Sequence, residues 1–594
     1  MNTISCLLKS LRINQKITLR NLCQGLCSAS MLSMIESGKT DPDIRLLRLL
    51  LERLGKSFNK LELIINKDTY SNELSQLEFE RLIKHNRIIE ARELLSTLSP
   101  DTQNHITSIK NMIYFRNLSV LEYIEGKTES AVSHMETAIK KTIPSWSNNG
   151  FDEHAISSTE FENIILFLYF KYIDCPNPNH NDPTFINLLA QLEKHFQITL
   201  LDDEERAVIF PKLMFIAAKR DLLNNDFIGS VSKCDQALGL LRKHEILYLV
   251  PEFLEIIVQY GQTFSLSEPY ENYVSYYTAI QIAANLCDYS TVPVTHLFLR
   301  CNKALYHLDS EVIEAERLMS GFTQEEFIEN IYQEASSLSR IENFKTSMQT
   351  ELLLMLLNKA QVNKGRVNTA LICKSFDSLE MLREYDLLVL KGNSEKAKDL
   401  LEKVHSTTDL TISNNMQIYQ LKYNMLDNSI SNKEPSEIVQ EARHYLQDHY
   451  PIETSDVFRP PFYEEICAIT QLAINLRKVG KTDDSLKLYA KCYDCFYKSR
   501  IDHAFQYKSF GIIQSNHAIR SNDYEIALDD ISYLFDVGSL SDLYLGVGII
   551  GCKLYNKDKT NEHAKKVIKA SSSLAMLTMR FKDARKMENM LNHL

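Results

Sequence analysis

The sequence predicts an all-α protein, a small N-terminal helical bundle followed by an α-solenoid of helix pairs, on three observations. Turn punctuation is scarce: 17 Gly and 14 Pro serve 594 residues, and no proline stands between Pro293 and Pro435, a poor supply for a sheet-rich fold. Apolar residues recur at three- and four-residue spacing behind helix-capping residues. A single register returns six times along the chain, the mark of repeated supersecondary units.

The N-terminal elements follow in order. ISCLLKSLRIN (Ile4 to Asn14) puts Ile4, Leu7, Leu8 and Leu11 on one helical face. Thr18 caps a second helix, LRNLCQG, and Ser28 or Ser30 caps a third that ends at Gly38. Pro42, at a first-turn position, opens a fourth, DIRLLRLLLERLG, closed by Gly55. The links are short, so the expectation is a compact bundle of five short helices. Helices two and three, joined around Leu26-Cys27, have the helix-turn-helix layout.

Charge separates this head from the rest. Residues 1–66 carry ten Lys or Arg against five Asp or Glu, a balance of +5 that leaves −16 on the remainder of a chain whose total is −11. A basic head on an acidic body points to the head alone as the part that meets a polyanion, because phosphate contacts supply most of the affinity for nucleic acid.

The stretch TLRNLCQGLCSASMLSMIESGKTDP resembles the helix-turn-helix of Cro/phage-repressor-type regulators, the XRE family. Its LCSASMLSMIESG form, with a cysteine in the turn, is similar to the peptide-pheromone receptors (RRNPP) that join such a head to tetratricopeptide repeats. The resemblance spans roughly residues 4–66. It implies Leu22, Leu26, Leu32 and Ile35 as core, and DNA contact by Thr18, Arg20, Ser28, Ala29, Ser30, Met31, Ser33, Met34 and Lys39. It implies further that Arg12 and Glu36 form an internal salt bridge tying helix one to helix three. The chain departs from the family at the exposed positions of helix three, where Ser, Ala and Met stand in place of Gln, Asn, Arg or Lys. Base reading is then expected from serine hydroxyls, from Met or Ala against thymine methyls, and from DNA shape.

In the body, LEYIEGKTESAVSHMETAI sets the recurring register: a turn residue, a small residue five later, then apolar or small residues at nine and twelve, filled by Gly126, Ala131, Met135 and Ala138. The same places hold Asn86, Ala91, Leu95 and Leu98; Asn225, Ser230, Cys234 and Ala237; and Gly392, Ala397, Leu401 and Val404. They hold Gly480, Ser485, Tyr489 and Cys492, and again Asn522, Ala527, Ile531 and Leu534. The first residue suits a tight turn between two helices, the second lets them approach, and the others fill the groove to the next pair. The pattern resembles the second half of the tetratricopeptide repeat, which buries its faces only against its neighbours. The expected domains are residues 1–66 for the DNA-binding head, 67–75 for a linker, and 76–594 for a repeat domain that senses and dimerises. Residues 140–220 and 240–380 are expected to hold divergent repeats.

Two motifs invite enzymatic readings. Gly546-Val547-Gly548-Ile549-Ile550-Gly551 spells GxGxxG, but no strand precedes it, so small residues in a packed helix are expected. Cys492 and Cys495 form half of a metal pattern whose second half is missing, and core packing is expected instead. HExxH, GxxxxGK and GxSxG do not occur. No enzyme activity, metal or cofactor is expected. The twelve cysteines suit reduced, mostly buried thiols, and the loop DCPNPNHNDP (174–183) suits a surface insertion. No apolar run approaches the length of a membrane span and no basic leader precedes an apolar core, so a cytoplasmic protein without membrane contact is expected.

The function these features imply is a transcriptional regulator that binds double-stranded DNA, with a repeat domain that senses a short intracellular signalling peptide and a homodimeric state. The alternative is a repeat scaffold for a protein partner, anchored by its helix-turn-helix and without a peptide effector.

Overall fold

The computed structural model describes residues 3–98, 107–147, 150, 156–198, 201–289, 293–300, 305–329, 331, 335–346, 348, 352–353, 355–357, 359–360, 388, 395–400, 434–454 and 459–592. Its described residues are helical apart from two short strands and their connections. By internal packing the chain divides into two units: Met1–Phe58, Ser75–Cys301 and Leu528–Leu594 form one, Asn59–Leu74 and Asn302–Ala527 the other.

In the first unit the head comprises α1 (Thr3–Asn14), α2 (Leu19–Cys23), α3 (Ala29–Glu36) and α4 (Ile44–Arg53). Thr18 and Ser28 cap α2 and α3 through their hydroxyls. The start of α4 differs from expectation. Pro42 lies just before the helix and not in its first turn: Asp43 is the N-cap, its carboxylate accepting from the Arg45 N–H at 2.9 Å. In place of a fifth helix stands a single 3-10 turn, Phe58–Lys60.

The body of this unit is built from helical hairpins such as α7 (Thr107–Ile124) with α8 (Thr128–Thr142), and α11 (Asp203–Leu223) with α12 (Phe227–Lys243). Their corners explain the register. In this unit Gly126 takes φ 81°, Asn86 54° and Asn225 60°, and in the second unit Gly480 takes 83° and Asn522 49°, left-handed conformations that Gly enters freely and Asn tolerates. At four of these corners the next residue's N–H reaches back to a carbonyl five residues earlier at 2.8 Å: Lys127 to Glu122, Arg87 to Leu82, Asp226 to Asp221, and Lys481 to Leu476. This is the Schellman cap, which satisfies the last carbonyls of one helix. The small residues Ala91, Ala131, Ser230, Ala397, Ser485 and Ala527 are fully buried, as are Met135, Cys234, Tyr489, Cys492 and Ile531. Leu98 differs, being 37% exposed. Gly392, Leu401 and Val404 lie outside the described residues.

Gly548 and Gly551 sit in the helix Leu543–Lys557, packed on the helix Glu562–Leu577. A Cβ at Gly548 would stand 2.8 Å from Ser571 Oγ, and one at Gly551 2.7 Å from Ile568 Cγ1. The glycines serve close helix contact. The DCPNPNHNDP stretch follows a π-helical turn, Tyr169–Ile173, and is anchored at its start by Asp174, whose carboxylate accepts from the hydroxyls of Tyr123 (2.6 Å) and Tyr169 (2.9 Å).

The second unit holds the strands β1 (Glu62–Ile65) and β2 (Leu305–Leu308), paired in parallel with Glu62 opposite Leu305 and Ile65 opposite Leu308. Residues 67–75, expected as a linker, lie in α5 (Lys67–Lys84). Asn66 starts this helix by accepting from the Thr69 N–H at 2.9 Å, an N-cap inside a stretch whose polar composition suggested a link. The core of this unit gathers Val312, Ile313, Phe327, Leu338 and Leu357. A buried Arg459 lies between Glu316 and Glu465 and over the Phe462 ring at 4.1 Å. Cys492 and Cys495 are buried in the helix Thr482–Lys498. Among the described residues no helix is long and apolar enough to cross a membrane, and no group of His, Cys, Asp or Glu has the arrangement of a metal site.

Candidate nucleic-acid interface

Leu22, Leu26, Leu32 and Ile35, each at most 3% exposed, form the core between α2, α3 and α4. The Arg12 guanidinium donates to both oxygens of Glu36, Nε to Oε1 at 2.6 Å and Nη2 to Oε2 at 2.7 Å, and its Nη1 donates to the Ile17 carbonyl at 3.0 Å. The bond to Glu36 raises the Arg12 pKa above its ordinary value. This bidentate pair fixes α3 against α1.

With α3 held on that side, Ser28, Ala29, Ser30, Ser33 and Met34 are exposed and Met31 is half-buried. Ser30, Ser33 and Met34 share one face by their three- and four-residue spacing. The Ser28 hydroxyl is committed locally, accepting from the Met31 N–H at 3.1 Å and lying 2.9 Å from the Ser30 hydroxyl. Thr18, Arg20 and Lys39 are also exposed. Arg20 and Lys39 form no ion pair with a described residue, which leaves two free cations beside a neutral helix face. Burial pushes the turn thiol Cys27 up to about 12 and raises Cys23 as well, which disfavours the thiolate at both.

The opposite side of the head carries residues that the sequence did not single out. Arg53, 1% exposed at the end of α4, donates to the carbonyls of Leu22 (2.9 Å) and Gln24 (2.7 Å) in the turn between α2 and α3. The same guanidinium holds the body, with Nε and Nη2 on the two oxygens of Glu160 at 3.0 and 2.6 Å and Nη2 on the Thr142 carbonyl at 3.2 Å. Glu160 lies in the first turn of α9 (Ser158–Leu168), where it closes a capping box with Ser157. Gly25, φ 74°, lies so close to the end of α8 that a Cβ would stand 2.1 Å from the Thr142 oxygen. The turn glycine therefore serves the seating of the head as well as its own fold.

Glu52 extends this seat. Its carboxylate accepts from the Thr159 N–H at 2.9 Å and from Arg300 at 2.6 Å, while Arg300 also donates to Glu162 at 2.9 Å. Past α4, the Asp202 N–H donates to the Gly55 carbonyl and the Asp202 carboxylate accepts from the Ser57 N–H, both at 2.8 Å. Burial pushes Glu160 and Glu162 up. Arg53 outweighs it at the first, and Arg300 with Lys212 and Arg116 at the second, so both carboxyls titrate below the ordinary range. Glu205 is held well above it by burial and by Glu52, which outweigh Arg300 and the Ser158 hydroxyl. Several charges fully removed from water fix the geometry in which the head projects.

Residues 8–61 match the family model described as helix-turn-helix. This stretch is a helix-turn-helix domain. Among solved structures, the chain shows a distant likeness to the crystal structure of Bacillus thuringiensis PlcR in complex with the peptide PapR7 and DNA. That likeness is at 15% identity and a TM-score of 0.29, over 48% of this chain and 98% of the other. No curated protein matches the chain.

Proposed function

We propose that the protein is a DNA-binding transcriptional regulator whose residues 1–66 bind double-stranded DNA and whose helical-repeat body, residues 76–594, senses a ligand. The observation that carries the reading is α3: a capped helix of a helix-turn-helix domain with its Ser30, Ser33 and Met34 face open to solvent and its back seated on buried charge. On DNA, α3 enters the major groove, Arg20 and Lys39 contact phosphates, and the uncharged face reads methyl groups and groove shape. The finer reading, a short intracellular signalling peptide as effector and a homodimer with heads about one DNA turn apart or a multiple of it, rests on the sequence resemblance described above.

Selection of bound fragments from sheared genomic DNA by the full-length protein at about 0.1 M salt, where phosphate contacts survive screening, tests the proposal. Enrichment of a palindromic site is the expected result. Recovery of random fragments alone would remove the regulator reading in favour of a scaffold held by a degenerate head.

A further inference from the structure

Three carboxyl groups meet at the first turn of α9, inside the seat of the head. Glu160 closes the Ser157 cap and pairs with Arg53. Glu52, arriving from α4, accepts from the Thr159 N–H at 2.9 Å, and Glu205, in the first turn of α11, accepts from the Ser158 hydroxyl. Glu52 and Glu205 thus stand on consecutive residues of one helix end, the first carried by the head and the second by the body. Their surroundings differ. Glu52 also accepts from Arg300 at 2.6 Å, whereas Glu205, 2% exposed, forms no ion pair with a described residue. The charges around it already balance: Arg53, Arg116, Lys212 and Arg300 stand among Glu52, Glu160, Glu162 and Asp202, four cations to four carboxylates. The flanking groups are engaged elsewhere. Lys243 of α12 pairs with Asp203, Arg206 lies over the Phe196 ring at 4.9 Å, and His195 lies by the Phe161 ring. A fifth anion here would be a buried carboxylate without a counter-charge, and such a group keeps its proton instead. Burial first, then the charges of Glu52 and Asp202, accordingly hold Glu205 well above the ordinary carboxyl range, against Arg300 and the Ser158 hydroxyl.

We propose that Glu205 is a proton switch for the seat of the head: its neutral carboxyl lets Glu52 rest against α9, and loss of the proton sets two carboxylates side by side and loosens α4 from the body. Like charges repel strongly in a buried site, and Glu52 is the member of the pair that leaves with the head. The direction follows from linkage. Glu205 titrates above the 4.5 of the unfolded chain, so its contribution to stability is complete below that value and is lost as pH rises through the native pKa. The seat is closed while Glu205 is neutral and opens on the alkaline side.

Trp146 is the sole tryptophan of the chain. It is 5% exposed and follows α8, whose Thr142 carbonyl accepts from Arg53, so its emission reports on the seat. The test is the Trp146 emission of the full-length protein titrated from pH 6 to pH 9 in wild type, Glu205→Gln and Glu52→Gln. A one-proton transition is expected in the wild type. Glu205→Gln keeps an acceptor for Ser158 and cannot ionise, and is expected to hold the pH 6 spectrum throughout. Glu52→Gln removes the neighbouring charge and is expected to move the midpoint down by about one pH unit or more; this shift decides the question if Glu205→Gln does not fold. Lys212, brought down to about 8 by burial, is common to all three proteins, so a transition that it causes survives in Glu205→Gln. A flat wild-type titration, the same transition in Glu205→Gln, or an unmoved midpoint in Glu52→Gln would overturn the switch. The consequence for DNA rests on the regulator reading: between pH 6 and pH 9 the affinity for a selected fragment is expected to fall about fivefold more in the wild type than in Glu205→Gln. Equal falls beside a Glu205-dependent Trp146 transition would overturn the coupling, and failure to select any DNA would count against the regulator reading while fluorescence still decides the switch.

Discussion

The two faces of the helix-turn-helix are built on opposite principles. The inward face is charged, dry and paired: its Arg53 and Glu52 are buried, and so are Glu160, Glu162 and Asp202 of the body that receives it, each with partners at hydrogen-bond distance. The outward face of α3 is wet and offers two serine hydroxyls and a thioether. Charge in this domain is thus spent on direction. A recognition surface that makes few strong bonds gains most from being presented in a fixed orientation, because the ordering cost is met before DNA arrives.

The largest expected effect falls on the inward face. Arg53→Met leaves the Glu160 carboxylate and three backbone carbonyls without their donor. It is expected to destabilise the protein by about 3–5 kcal/mol in urea unfolding. Arg53→Met combined with Glu160→Leu should recover the part of the loss that comes from the unpaired Glu160 carboxylate, while the three carbonyls stay without a donor and the Ser157 cap is lost. A single variant within about 1 kcal/mol of wild type would break the comparison.

Glycine positions give the next contrast. Gly25→Ala combines a left-handed backbone with a Cβ driven onto the Thr142 carbonyl, for an expected cost of about 2–4 kcal/mol. Gly126→Ala has a similar φ but open space around the new methyl group, and should cost about 1 kcal/mol. Equal losses in thermal or urea unfolding would mean that the α8 contact does not constrain the turn.

Acid separates the faces more gently. Glu160 and Glu162 have native pKa values below the 4.5 of the unfolded chain. Their contribution to stability is therefore complete above that value and is lost as pH falls through the native pKa, at up to about 1.4 kcal/mol per pH unit for each group. Urea midpoints measured at pH 6 and pH 3.5 should fall less in the Arg53→Met, Glu160→Leu double variant than in wild type.

On the outward face Ser33→Ala and Met34→Ala should each change stability by less than about 0.5 kcal/mol. Lys39→Gln should lower by about one the slope of DNA affinity against salt concentration. A loss of stability in these variants larger than that of Gly126→Ala would show that the exposed face also carries the fold.

What could be seen in the sequence was local. Thr18, Ser28, Gly126 and Asn225 announce helix ends because capping acts within a few residues, and each stands at such an end in the structure. The same left-handed cap also occurs at Glu245, Phe344 and Met579, where the residue type carries no signal and tertiary packing imposes the conformation. Leu98 occupies an apolar position of the register yet faces solvent, since the pattern predicts a face and not the partner that covers it. Arg53 and Glu52 were invisible for a related reason. They stand in a leucine-rich amphipathic helix, and partners such as Glu160 and Arg300 lie 107 and 248 residues away along the chain. The short parallel pairing of β1 with β2 is equally remote in sequence.

The corners at Asn86, Gly126, Asn225 and Gly480 each close the preceding helix with their own backbone. Such a corner asks nothing of its surroundings, so a hairpin can be copied or lost as a cassette without leaving a helix end that needs repair. Growth of the chain by duplication then requires only that the new pair match its two neighbours. The spacing of 40 residues between Asn86 and Gly126 and of 42 between Gly480 and Asn522 shows how much length each cassette can absorb while its corner chemistry stays the same.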